Sequence, residues 1–425
     1  MRNKYIKWDR LDNTANLFPV IAGERLTNTY RISAILNEDI NQELLQQAVD
    51  IVTPKIPGFN LRLRKGIFWH YFEENGKKAP VVREEDTYPC RFIHASRNRS
   101  YLFRVTYYGR RINVEAFHVL TDGMGIIAFL KEIVYQYLRL SHPELSDKFS
   151  DSLSTETSLN RDDSFISNYK GSSKSVYKVK KAFLIKGERL PHDAFGLMHG
   201  YIDVAELKII SKEKYGISIN EYLVACFIYA TYKENRGKVT KDRPLRVAVP
   251  VNLRPFFDSI TTKNFFVMVS AEFAPDDSTD YTFADICAVT HESLSSQINK
   301  EHLENIFSYN VSNEQMFIAR AVPLFLKNIA IKFVYTKSAL ANTTTITNIG
   351  NITFQDEYMP YIDNVYAMIA FSKGQELKGL ISSFKGKLCF TICSAWQDTN
   401  IQRRIFSQIA KDGGNVTIET NGVYN

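Results

Sequence analysis

The sequence is poor in the residues that break a fold, and it has no long apolar run. Its 425 residues include only 20 glycines and 13 prolines, which argues against a collagen, a low-complexity array or long flexible linkers. The longest apolar stretch, residues 222–230, is far shorter than the roughly 20 residues that cross a bilayer. The first residues show no apolar core of a signal peptide. We therefore expect a cytoplasmic protein without a transmembrane segment.

Cysteine and net charge are also low. The five cysteines, an odd number, contain no Cys-x-x-Cys pair, which argues against a zinc finger or a dithiol redox centre and favours buried free thiols. The net charge of +7 is compatible with an anionic ligand, but it is too diffuse to indicate a nucleic-acid surface. Histidine spacing shows no metal site. We predict neither a metal nor a nucleic-acid partner.

The chain is rich in aromatic side chains. Phe, Trp and Tyr make up 13% of the residues and hydrophobic residues 44%, which suffices for a large core and for apolar pockets. At about 150 residues per domain, the length predicts two or three domains.

Periodicity predicts an α+β fold with mixed sheets and flanking helices. Alternating apolar residues predict a strand over 29–36, and a capping box of Asp39 and Gln42 predicts the helix that follows. A hairpin over 101–119 turns at Gly109. Short strands at hairpin spacing, with separate helices, favour α+β over a doubly wound parallel sheet.

One segment carries a pattern suited to proton transfer. In Ala116-Phe-His118-Val-Leu-Thr-Asp122-Gly123, a histidine ends a strand and an aspartate precedes a glycine that opens a helix. An imidazole accepts a proton near neutral pH, and the helix start offers unpaired N–H groups. Chance gives His-x-x-x-Asp-Gly roughly 0.02 times in such a chain. The alternative is a buried core histidine beside an aspartate that caps a helix.

Four segments resemble the thioester-dependent acyltransferases that share the His-x-x-x-Asp motif. This superfamily includes chloramphenicol acetyltransferase, plant acyltransferases, peptide-synthetase condensation domains and alcohol acetyltransferases, and the likeness is closest to bacterial alcohol-acetyltransferase-like proteins. The segments are Pro57-Gly-Phe-Asn-Leu-Arg62-Leu-Arg64, His118-Val-Leu-Thr-Asp122-Gly123, Val249-Pro-Val-Asn252-Leu-Arg254-Pro255 with Lys263-Asn264-Phe265-Phe266, and Thr347-Asn348-Ile349-Gly350. Phe117 replaces the first histidine of condensation domains, and the Asp-Phe-Gly-Trp-Gly motif of plant enzymes is absent.

The resemblance implies two chloramphenicol-acetyltransferase-like halves that form a V-shaped pseudo-dimer around a central tunnel. We expect an N-terminal half over 1–155, a crossover linker over 156–185 and a C-terminal half over 186–425. The Ser-, Asp- and Lys-rich stretch 146–181 fits the crossover.

The resemblance also implies the chemistry. His118 is the expected general base for direct transfer from an acyl-CoA co-substrate to a small-molecule alcohol or amine, and Asp122 is an orienting residue. Gly123, Thr347 and Asn348 are candidates to stabilise an oxyanion or to support the site, although Asn348 also suits a turn.

A buried Asp122 needs a cationic partner. Arg62 is the first candidate and Arg64 the second, because both lie on one face of the same predicted strand; Arg254 is a third.

Lysines crowd the expected crossover. Lys178, Lys180 and Lys181 are candidates to attract the coenzyme A phosphates, against the alternative of a solvated linker. An acyl carrier protein is a second possible donor, and a non-catalytic binding protein that keeps the fold is the rival class.

Overall fold

The computed structural model describes residues 8–145, 152–171, 181–276, 279–315 and 322–424. The strands in chain order are β1 (Trp8–Arg10), β2 (Thr29–Leu36), β3 (Leu61–Lys65), β4 (His70–Glu74), β5 (Arg83–Glu84), β6 (Phe103–Tyr108), β7 (Arg111–Phe117), β8 (Gly196–Asp203), β9 (Leu245–Asn252), β10 (Phe266–Phe273), β11 (Thr344–Asn351), β12 (Ile362–Ile369), β13 (Leu377–Phe384), β14 (Lys387–Ser394) and β15 (Thr417–Thr420). The helices are α1 (Phe18–Ile21), α2 (Gln42–Val52), α3 (Gly123–Ser141), α4 (Ser164–Ser167), α5 (Val204–Ile209), α6 (Ile219–Glu234), α7 (Arg254–Phe257), α8 (Phe283–Ser295), α9 (Lys300–Gln315), α10 (Leu324–Ala339) and α11 (Asn400–Lys411).

The N-terminal half is built on a five-stranded sheet of order β12-β2-β7-β6-β5. Alternate residues of β7, Ile112, Val114 and Ala116, are fully buried in one core with α2 and α3. This is the alternation that the sequence predicts, and it aims the chain after Phe117 at the edge of the core. A small sheet of order β1-β4-β3 stands beside it.

The C-terminal half is built on a seven-stranded sheet of order β10-β9-β11-β13-β14-β8-β15. Its second core packs α6, α8 and α11 against the sheet. A capping box of Ser218 and Glu221 opens α6. In each half a sheet is flanked by separate helices, as the predicted α+β class requires.

Strand β12 ties the halves together. It pairs antiparallel with β2, with Val365 opposite Ala34, although it lies within the predicted C-terminal half. Leu380 and Phe384 of β13 join the N-terminal core as well. The sheet of the N-terminal half is therefore completed by residues from beyond position 186.

Two local predictions differ from the structure. The side chain of Asn41, not Asp39, caps α2 by accepting from the backbone N–H groups of Glu43 and Leu44, because the helix begins only at Gln42. Strand β8 has no counterpart among the predicted strands, since its glycines hide the alternation. A Cβ at Gly200 would lie 2.1 Å from the Phe406 ring of α11, so close packing requires glycine there.

Candidate active site

A cavity of about 800 Å³ is lined by residues of both halves. The N-terminal half contributes α1, the start of β2 and the turn between β7 and α3. The C-terminal half contributes β9, β10, β11, β13 and one residue of α10. The lining residues that the chemistry below uses are His118, Gly123, Thr347, Asn348 and Lys378.

His118 is held at the wall of this cavity by its backbone and by aromatic rings. It follows the last residue of β7, and its N–H donates to the carbonyl of Asn28 at 2.9 Å. The imidazole stacks on Phe18, with ring centroids 4.6 Å apart, and contacts Tyr30 at 4.8 Å. Burial among these groups disfavours the imidazolium and holds the pKa of His118 below its ordinary value. The neutral imidazole, the form a general base needs, is therefore favoured near pH 7.

Asn264 determines which ring nitrogen of His118 is free. Its Nδ2 donates to a carboxylate oxygen of Asp12 at 2.9 Å, so its Oδ1 is the atom that faces His118 Nδ1 at 3.0 Å. With this acceptor on that side, Nδ1 carries the proton and Nε2 keeps its lone pair.

Asp12 anchors this arrangement from the N-terminal segment. It is buried, and it accepts hydrogen bonds from the backbone N–H groups of Ala15 at 2.7 Å and Asn264 at 3.2 Å. Burial raises the pKa of Asp12 to about 7. Lys263 holds the same segment by binding Asp9 at 2.7 Å. The hydrogen bonds that link Asp12, Asn264 and His118 thus run from the N-terminal half to the C-terminal half and back.

Asp122 is occupied by structural bonds and does not contact His118. Its carboxylate forms a two-point ion pair with Arg254, at 2.8 and 3.1 Å. It also accepts from the N–H of Met124, as the cap of α3, and from the N–H of Phe265. Because Arg254 and Phe265 belong to the C-terminal half, Asp122 fixes the His118 turn to the opposite wall.

The predicted partners of Asp122, Arg62 and Arg64, are wrong. Both arginines bind Glu73, at 2.8 and 2.6 Å. Glu73 lies directly opposite Arg62 in the β3–β4 ladder, so the nearest carboxylate on the shared face takes both side chains. The third candidate, Arg254, is the partner.

Gly123 and Gly125 have different structural roles. Gly123 lines the cavity as the first residue of α3, where the N–H groups lack intrahelical acceptors. A Cβ there would lie 3.0 Å from Ile349 across the cavity wall. At Gly125 a Cβ would lie 1.9 Å from Thr121 Oγ1, so this glycine is needed for packing.

Thr347 and Asn348 both line the cavity from β11. The Asn348 Oδ1 accepts the N–H of Gly350 at 2.8 Å, as its turn role predicts. Its Nδ2 is the donor that an oxyanion role would use.

The sequence predicts three lysines for the coenzyme A phosphates. Lys178 and Lys180 lie outside the described residues, and Lys181 is exposed and is absent from the lining.

All five cysteines are buried free thiols, as the sequence predicts. Burial raises the pKa of each; the five are Cys90, Cys226, Cys287, Cys389 and Cys393. A thiolate nucleophile at neutral pH is thereby disfavoured. Within the described ranges, no cluster of three metal-ligating side chains occurs, and no helix has the length and apolarity to cross a bilayer.

Sequence reasoning assigned no role to Asn264, Asp12 or Lys378. Asn264 lies in a segment that carries the resemblance, but its contact with His118 is made across 146 positions of the chain. Asp12 and Lys378 lie outside all four segments.

No family model and no curated protein matches this chain. Solved structures match along almost its whole length. TRI101 of Fusarium sporotrichioides, in a complex with coenzyme A and T-2, has a TM-score of 0.64 at 11% identity, covering 96% of this chain and 99% of its own. TRI3 trichothecene 15-O-acetyltransferase of the same species has a TM-score of 0.58 at 10% identity, covering 95% and 94%. The condensation domain of the Monacolin K polyketide synthase MokA has a TM-score of 0.58 at 8% identity, covering 96% and 97%.

The chain therefore has the two-half fold of the chloramphenicol-acetyltransferase-like, thioester-dependent acyltransferases, and the predicted fold class is confirmed.

Proposed function

We propose that this protein is an acyltransferase that moves an acetyl or other short or medium acyl group from coenzyme A to an alcohol or amine. The observation that supports this most strongly is His118 itself. Its Nδ1 is tied to Asn264, and its ring lines a cavity that both halves form. A base with one fixed free nitrogen, set between two walls, suits two substrates that meet at one point.

The reaction proceeds by direct transfer. His118 Nε2 takes the proton of the acceptor hydroxyl or amine as the acceptor atom attacks the thioester carbonyl carbon. The carbonyl oxygen becomes an oxyanion while the new carbon–oxygen or carbon–nitrogen bond forms. As the oxyanion collapses, the carbon–sulfur bond breaks, and His118 returns the proton to the departing thiolate. Asp122 contributes by holding the turn, since its oxygens are bound to Arg254 and to backbone N–H groups.

The oxyanion needs donors on the cavity wall. Gly123 N–H, at the start of α3, and the Asn348 Nδ2 are the candidates on opposite walls, and the Thr347 hydroxyl is next to the second. A carrier-borne thioester presents the same phosphopantetheine arm and is the alternative donor.

The test is thiol release from acetyl-CoA with mixed alcohols and amines, by the wild type, His118→Ala and His192→Ala. We expect acceptor-dependent release by the wild type and by His192→Ala, which removes an exposed imidazole. Equal rates for the wild type and His118→Ala would exclude His118 as the base. Release only from a carrier-bound acyl group would identify the alternative donor.

A further inference from the structure

Lys378 is a buried ammonium group on the wall of the same cavity. Lys378 is only 4% exposed, and it lines the cavity as the second residue of β13. Burying a lysine without a carboxylate partner is costly, and such a lysine needs an anion or several acceptors. Its hydrogen-bond partner among the described residues is the hydroxyl of Ser372.

The charged groups around Lys378 do not neutralise it. Glu376, two residues before it, binds Arg189 at 2.9 Å. Cys393 lies opposite it on β14, and burial raises the pKa of that thiol to about 12, so it is neutral. Among the described residues, the one carboxylate that lines the cavity is Asp122, which is paired with Arg254. Burial lowers the pKa of Lys378 to about 8, which leaves it largely charged at neutral pH.

Side chains with hydroxyl groups line the same cavity as the ammonium group. Ser372, Thr345 and Tyr335 all line the cavity with Lys378. Thr345 donates to Gln375 at 2.7 Å, which fixes its hydroxyl. The ammonium group of Lys378, beside the Ser372 hydroxyl that accepts from it, is a suitable site for a carboxylate.

Resting on the proposed function, we propose that Lys378 binds a carboxylate on one of the two substrates, so that the enzyme acts on acidic substrates. Lys378 and His118 line one cavity, so a carboxylate that binds Lys378 lies in the same cavity as the reacting carbon. The phosphates of coenzyme A lie at the other end of its pantetheine arm and do not meet this requirement. The carboxylate is therefore carried either by the acyl group of the donor or by the acceptor.

The experiment compares each acid with its neutral amide by equilibrium titration, which requires no turnover. The acceptor pair is γ-hydroxybutyrate and γ-hydroxybutyramide, and the donor pair is succinyl-CoA and succinamoyl-CoA. The proteins are the wild type, Lys378→Met, Lys378→Gln and Lys387→Met. Lys387 lies on the same hairpin and is exposed, so it controls for the loss of one positive charge.

We expect the wild type to bind the acid of one pair roughly 10- to 100-fold more tightly than its amide, the range of a charge-assisted hydrogen bond. Lys378→Met removes this preference, and Lys387→Met keeps it. The pair that shows the effect identifies the substrate that carries the carboxylate. Thermal melting checks each variant, and Lys378→Gln replaces Lys378→Met if the latter does not fold.

The proposal is overturned if the wild type prefers neither acid, or if a preference survives in a folded Lys378 variant. The result of this titration can be distinguished from the result of the thiol-release test of the proposed function. An acid preference that depends on Lys378, without thiol release by the wild type from the acidic substrates that it binds, supports the carboxylate site and contradicts the acyltransferase. Thiol release without any acid preference supports the acyltransferase and contradicts the carboxylate site.

Discussion

Asn264 shows how one amide determines the chemistry of a neighbouring imidazole. An amide has a donor end and an acceptor end, and Asp12 takes the donor end. His118 is left with the acceptor, so its Nδ1 must donate and its Nε2 must accept. The residue that we propose as the base is thus oriented by two residues outside the cavity lining, which makes Asn264 and Asp12 positioning residues.

We expect Asn264→Ala to lower kcat by about 10- to 100-fold with a smaller change in KM, because His118 then populates both neutral tautomers and orientations. Nitrogen NMR of the His118 ring is the decisive readout. The wild type should show a protonated Nδ1, and the variant a mixture. A variant that loses activity while the ring spectrum is unchanged would contradict the positioning role.

The pH dependence of kcat/KM follows from the same environment. Burial lowers the pKa of His118, so activity should rise through a midpoint below 6.5 and then level off as the imidazole becomes neutral. The positive charge of Lys378 lowers that pKa further. Lys378→Met should therefore move the midpoint to higher pH, measured on a neutral substrate pair. A midpoint above 6.5 in the wild type, or a shift to lower pH in the variant, would contradict this environment.

At the scale of elements, the start of α3 is fixed to the C-terminal half by one ion pair. Asp122 caps the helix and binds Arg254 of α7 and the N–H before β10. Tyr30 of β2 donates to the carbonyls of Thr121 and Asp122. The turn that presents His118 is therefore held by three elements and by the close packing at Gly125.

Asp122→Asn should lower both activity and the melting temperature. Removing one charge of this buried pair leaves Arg254 with neutral acceptors alone, at a cost of about 3–5 kcal/mol in the free energy of unfolding. Arg64→Met is the matched control, because Arg64 is about half exposed and Glu73 keeps Arg62; its cost should stay within about 1 kcal/mol. Lost activity with unchanged stability in Asp122→Asn would instead give Asp122 a direct chemical role. Denaturant unfolding measures the free energy of unfolding of both variants.

At the scale of the whole molecule, the sequence predicts the elements and the His118 motif better than it predicts partners. Strand β2 follows from alternation, since its alternate residues Tyr30, Ile32, Ala34 and Leu36 lie in the N-terminal core. The partner of Asp122 could not be predicted in this way, because Arg62 lies in β3 and Arg254 begins α7, and only the tertiary fold brings one of them to the turn. The Asn264 and Lys378 contacts likewise depend on how the two sheets meet.

Strand β12, which the two halves share, holds the two halves in a fixed arrangement. It pairs with β2 of one half while its chain neighbours belong to the other, so the halves cannot separate without breaking a ladder. A cavity between two halves joined in this way keeps the His118 ring and the opposite wall in fixed relation. This is the condition under which a single base serves two substrates.

The central claim is that His118 Nε2 moves the proton during acyl transfer. The most direct measurement is kcat for product formation by the wild type and by folded His118→Ala at pH 7.5, with the acceptor found in the thiol-release assay. Loss of general base catalysis predicts a fall of roughly 10²- to 10⁴-fold. A His118→Ala enzyme that forms product at the wild-type rate would contradict the account.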